Sequence, residues 1–85
     1  MEMLRTPIDI VTIFQDGHAR PHLFRYAGRT YKIDAIHGYH RVREGQATIY
    51  QWSVSAARNV YILEWNGETL EANLTAIDAP TGARR

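Results

Sequence analysis

"RPHLFRYAGRTYKI", residues 20–33, holds four basic residues, three aromatics and one histidine in fourteen positions, with no carboxylate. Ala27-Gly28 is the turn signal at its centre. With the turn there, Phe24 falls opposite Tyr31, Arg25 opposite Thr30 and His22 opposite Ile33. Successive side chains of a strand point to opposite faces. His22, Phe24, Tyr26, Tyr31 and Ile33 then share one face. Arg25, Lys32 and Asp34 take the other, with Leu23 and Ile36. The stretch reads as a β-hairpin, aromatics inward and cations outward, and that pattern needs no ligand. An aromatic pair across such a hairpin contributes roughly 0.2–1 kcal/mol.

Turn signals recur on both sides of it: "QDGH" at 15–18, "HGYH" at 37–40, "REGQ" at 43–46, "AARN" at 56–59 and "WNGE" at 65–68. Short runs rich in Ile, Val, Tyr, Thr and Trp lie between them, which is the all-β signature. The spacing predicts six strands, at 8–14, 21–26, 30–36, 47–54, 60–65 and 69–77, with 37–46 as a loop. In "EANLTAIDA", Leu70, Ala72, Leu74 and Ala76 alternate, so strand prevails over helix there. Asn66-Gly67 is the strongest turn signal, because both central residues of a type I′ turn need positive φ. Phe24, Tyr31, Ile33, Ile49 or Tyr50, Trp52, Leu63, Trp65 and Leu74 are the expected core.

Eighty-five residues make one domain, read as 1–78, with "APTGARR" at 79–85 as a frayed tail. There is no cysteine, so neither disulfides nor thiolate metal sites support the fold. The chain is too short for a two-layer sandwich of any size. The expected architecture is a small SH3-like barrel, or a strongly twisted, half-closed antiparallel sheet of five or six strands. An OB-like barrel is the next choice, weakened by the missing helix. No apolar run is long enough to span a bilayer. The segment "MEMLRTP" has no signal-peptide core. A bacterial-type cytoplasmic protein is the default.

The pattern Pro21-x-x-Phe24-x-x-x-Gly28-Arg29-x-Tyr31-x-Ile33 follows "VTIFQDG" and precedes the aromatic-rich "YQWSV". It resembles a family of small bacterial all-β domains of unknown function, usually spelled P-x-x-F-x-(W/Y)-x-G-R-x-Y-x-V. Some members are associated with Y-family polymerase-like proteins. The resemblance spans about residues 10–78 and is most specific at 21–33. It departs at Tyr39 and His40, where a tryptophan-led segment is the rule. It implies the fold, and carries no activity, cofactor or catalytic residue.

The formal net charge is +1, which argues against indiscriminate polyanion binding. The distribution is uneven. Residues 17–43 carry six basic residues against Asp34, net +5, while 44–78 carry Arg58 against five carboxylates, net −4. Such halves either form a dipolar surface or pair with each other. Arg20, Arg25, Arg29, Lys32, Arg41 and Arg43 are candidate phosphate contacts for a single-stranded nucleic acid. Tyr39 is the matching stacking residue, with Tyr26 and Tyr50 beside it in the reading. The alternative is a protein-interaction module that binds a peptide in a groove of Trp52 and Trp65, or self-associates through an edge strand. His18-x3-His22 and His37-x2-His40 lack a completing ligand set, so no metal and no cofactor are expected. Ser53 and Ser55 have no glycine-elbow context, and no carboxylate pair or phosphate-cradling loop stands out. The expectation is a binding module and not an enzyme.

Overall fold

The computed structural model describes residues 2–78. The tail read at 79–85 lies outside the described residues. Eight strands form: β1 (Glu2–Pro7), β2 (Asp9–Gln15), β3 (His18–Tyr26), β4 (Arg29–Lys32), β5 (Ala35–Glu44), β6 (Ala47–Ala56), β7 (Asn59–Asn66) and β8 (Ala72–Asp78). The described residues contain no helix, and the all-β class stands as the sequence predicts. The strands build two antiparallel sheets, one of five in the order β1-β8-β7-β6-β5 and one of three in the order β2-β3-β4. Neither sheet closes into a barrel.

The hairpin read from residues 20–33 is present as β3–β4, with Phe24 opposite Tyr31 and Arg25 opposite Thr30. Its inner face lies on the larger sheet. The Phe24 ring sits 5.0 Å from Tyr61 at an angle of 66°, and Tyr31 sits 5.5 Å from the same ring. Phe24, Val54, Leu63 and Leu74 are fully buried, joined by Ile8, Trp52, Ala56 and Tyr61. The expectation that 85 residues are too few for two layers is corrected, because three short strands suffice to cover part of the larger sheet. Tyr31, Ile33 and Trp65, expected in the core, are half-buried at its margin. Val54 and Tyr61 take their places in the interior, on the same alternation as Trp52 and Leu63. The opposite face of β6, β7 and β8 carries Gln51, Ser53, Glu64, Asn73 and Thr75, the polar side of a half-solvated sheet.

Two strands were not foreseen. β1 joins the edge of the larger sheet beside β8, Glu2 opposite Ile77, with a break in register between Met3 and Thr6. Residues 37–46, expected as a loop, are mostly β5, a ten-residue edge strand paired with β6 from Ala35↔Ser55 to Glu44↔Ala47. The predicted strand 30–36 divides near Ile33 and Asp34, where the chain crosses from one sheet to the other. Ile33 N still bonds His22 O in the smaller sheet, whereas Asp34 N bonds Ser55 O in the larger. Ile36 thereby pairs with Val54 and is half-buried, and does not join the cationic face of the hairpin.

The turns divide by chemistry. Asp16-Gly17, Ala27-Gly28 and Ala57-Arg58 have positive φ at both positions, as type I′ hairpins require. Asn66-Gly67 does not. Asn66 Oδ1 accepts hydrogen bonds from Glu68 N at 2.7 Å and Thr69 N at 3.1 Å. Leu70 N closes on Asn66 O at 2.8 Å. The asparagine side chain thus nucleates a longer, helix-like turn, and its one left-handed residue is Leu70, with φ +67°.

Candidate functional site

Alternation along β5 decides what its exposed side chains face. Tyr39 lies opposite Trp52, Arg41 opposite Tyr50 and Arg43 opposite Thr48. Period two then puts Tyr39, Arg41 and Arg43 on the face that carries Tyr50 and Trp52. The rings touch in series: Tyr39 to Trp52 at 4.2 Å, Trp52 to Trp65 at 5.8 Å and Tyr50 to Trp65 at 5.8 Å between centroids. Trp52 is 7% exposed and Tyr39 46%, so the row runs from the core out to solvent. β7 runs beside this end of the β5–β6 hairpin as far as Ile49↔Asn66, so three strands floor the site.

The tip of the β2–β3 hairpin stands across from it. Between them is a cleft of about 470 Å³ lined by Phe14, His18, Tyr39, Arg41, Tyr50 and Trp52, closed at the turn by Gly17 and Ala19. Phe14 is 80% exposed. A smaller cavity of about 360 Å³ adjoins it, where Arg20 and Ile36 meet Trp52 and His18. Trp52 Nε1 is buried and has no hydrogen-bond partner. An unsatisfied buried donor costs about 1–3 kcal/mol. The cleft therefore combines four aromatic side chains, one of them an indole held for shape more than for its polar atom, with one arginine and one histidine.

The seven candidate residues separate into two groups. Tyr39, Arg41 and Arg43 share one face, and Arg20 reaches the adjoining cavity. Arg25, Arg29 and Lys32 lie elsewhere, on the smaller sheet. Arg25 lines a shallow hollow with Pro7 and Gly28. Lys32 pairs with Leu23, and Arg29 closes the β3–β4 turn opposite Tyr26. The basic stretch 20–43 is therefore not one continuous surface. Tyr26 is half-buried, 6.4 Å from Tyr31, and Tyr50 is half-buried against Trp65. Sequence reasoning missed Phe14 and His18 as cleft residues. The signal was present in "VTIFQDGH", where a phenylalanine two residues before an Asp-Gly turn sits too close to the tip to be covered.

Among the described residues, Arg5 pairs with Glu64 at 3.0 Å, and none of the six cations of 17–43 enters an ion pair. The cations of 17–43 thus make no ion pair with the carboxylates of 44–78 among the described residues. No group of three or more potential metal ligands gathers among the described residues. Comparisons with protein-family models, with curated proteins and with solved structures find no match to this chain.

Proposed function

We propose that the inner face of the β5–β6 hairpin binds single-stranded nucleic acid, as an accessory module of modest affinity. The observation that supports this most is the strand Tyr39-x-Arg41-x-Arg43, whose three side chains share a face with Tyr50 and Trp52 beside the 470 Å³ cleft. A base stacks on an exposed ring, and the next phosphates meet cations spaced two residues apart along an extended strand. Stacking tolerates any base because each has a π-face. Tyr39 is backed by Trp52, so its ring is held in place before a ligand arrives. Phe14 offers a second exposed ring across the cleft. The peptide groove between Trp52 and Trp65 has less support, because Trp52 offers almost no surface.

The test is a fluorescence-anisotropy titration of labelled oligo-dT at several salt concentrations. Phosphate contacts release counterions, with a log–log slope of about −0.7 per contact on a single strand. Arg20, Arg41 and Arg43 together give an expected slope near −2 by the same rule, roughly. Replacing Arg41 and Arg43 by Ala flattens it by more than one unit, with little effect on folding, since exposed cations contribute little. Tyr39→Ala weakens binding by about 1–3 kcal/mol at unchanged slope. Absence of binding at low salt and high protein concentration rejects the proposal, and leaves self-association through the free edge of β5 as the better reading.

A further inference from the structure

A second groove, of about 500 Å³, runs along β2 on the side away from β3. One wall is the period-two face of β2, with Ile8, Ile10 and Phe14. The other is Trp65 with Leu70 of the β7–β8 turn. Neither Tyr39 nor Arg41 lines it. Four observations converge on it.

Leu70 is 77% exposed and holds a φ of +67°, where glycine or asparagine is at ease and a leucine is strained. Neither its exposure nor its backbone favours leucine for the sake of folding, and strain that persists in this way points to use. The turn that carries it is held by the three hydrogen bonds to Asn66, so the side chain is presented on a fixed loop. Phe14, 80% exposed, stands at the other end of the same groove. β2 is an edge strand that pairs only with β3, and an edge strand offers backbone donors and acceptors to a further strand. Asp9 is the single charged residue in the lining. Glu68 and Glu71 flank Leu70 and are exposed.

We propose that this groove docks an extended segment of a partner protein in which apolar side chains alternate with lysine or arginine. The segment adds to β2 as a fourth strand of the smaller sheet, the mode in which main-chain bonds give affinity and alternate side chains give specificity. Its apolar side chains lie on Trp65 and Leu70. Its cations meet Glu68 and Glu71 of the β7–β8 turn, whereas Asp9 has Arg25 as its cross-strand neighbour.

The test titrates the ¹⁵N-labelled full chain with a peptide of alternating valine and lysine, and with the same peptide bearing glutamate for lysine. Saturable amide shifts confined to β2 and residues 66–72, with the glutamate peptide at least tenfold weaker, are the expected result. Leu70→Asn suits the left-handed backbone and removes the apolar contact, so it should raise the Tm while weakening the lysine peptide at least tenfold. It should leave oligo-dT binding unchanged, which separates this proposal from the preceding one. The proposal is overturned by an absence of saturable shifts, by equal binding of both peptides, or by shifts centred on β5. It is also overturned if the chain dimerises in sedimentation and Leu70→Asn makes it monomeric, since the occupant is then a second copy.

Discussion

Gly67 shows how a residue can be required for a reason its turn does not supply. Its φ is not in the left-handed region, so conformational freedom is not the point. A Cβ there would stand 2.9 Å from Tyr50 Cε2 and 3.1 Å from Thr48 O, while Gly67 N donates to that same oxygen at 2.8 Å. The glycine lets the β7–β8 turn lie against the β6 backbone and the Tyr50 ring. The ring can swing, but the carbonyl is fixed by its hydrogen bond. Gly67→Ala should therefore cost about 1–3 kcal/mol, the usual range for overpacking. Urea denaturation followed by tryptophan fluorescence measures it, and an unchanged midpoint would show that the turn can move away. Because Tyr50 also lines the cleft, the same variant should perturb the ring row that runs through Trp65 to Trp52.

At the scale of the element, the β6–β7 hairpin is the least suited to its own turn. Ala57 and Arg58 hold φ values of +50° and +70°, without the residues that tolerate them. Replacing the pair by Asn-Gly should stabilise the protein by about 0.5–1 kcal/mol, a gain limited by the added freedom of glycine in the unfolded chain. A rise in urea midpoint at constant m-value is the expected readout. The same elements explain what the sequence disclosed. Strands with one face on the core, such as β6 with Trp52, Val54 and Ala56 buried, write a two-residue apolar period and were legible. From Gly38 to Glu44 every residue of β5 is exposed, so no buried face imposes a pattern, and its glycine and charges read as loop. β1 fails similarly, as an edge strand that ends in Pro7 and shifts register midway. The candidate site was legible as residue types, because tyrosine and arginine cluster at 39–43. Its geometry was not, since the alternation that aligns them exists only once those residues are known to be a strand. The position of Phe14 beside the Asp-Gly turn marked it as uncovered, but its meeting with Tyr39 and Tyr50 across the cleft joins separate sheets and lies beyond any local pattern.

For the whole molecule, one cluster of side chains joins the two sheets, and Phe24 is the smaller sheet's principal contribution to it. Phe24→Ala should cost about 3–5 kcal/mol, as for other buried aromatics cut to alanine. If the sheets form one cooperative unit, hydrogen exchange in β6 and β7 should accelerate by the same free energy as in β3. Exchange that rises only in β2–β4 would show instead that the smaller sheet opens alone. Charge is also arranged at this scale. The +5 segment supplies β3, β4 and β5, and the −4 segment supplies β6, β7 and β8. The two proposed surfaces follow that division, a basic aromatic cleft at β5 and an acidic apolar groove beside the β7–β8 turn.

The pairing of β1 with β8 also determines how the molecule responds to tension. Residue 2 lies beside residue 77 in an antiparallel ladder, so both points of attachment are at the same end of the same pair. A load applied between them meets the inter-strand hydrogen bonds one after another, as a zipper does, and never all at once as in shear. Each bond yields for about 1 kcal/mol, so the ladder opens at low force, exposes the edge of β8 and draws Leu4 off the margin of the core. Tethered by these two residues, the domain is a compliant link whose first extension is the release of a single strand.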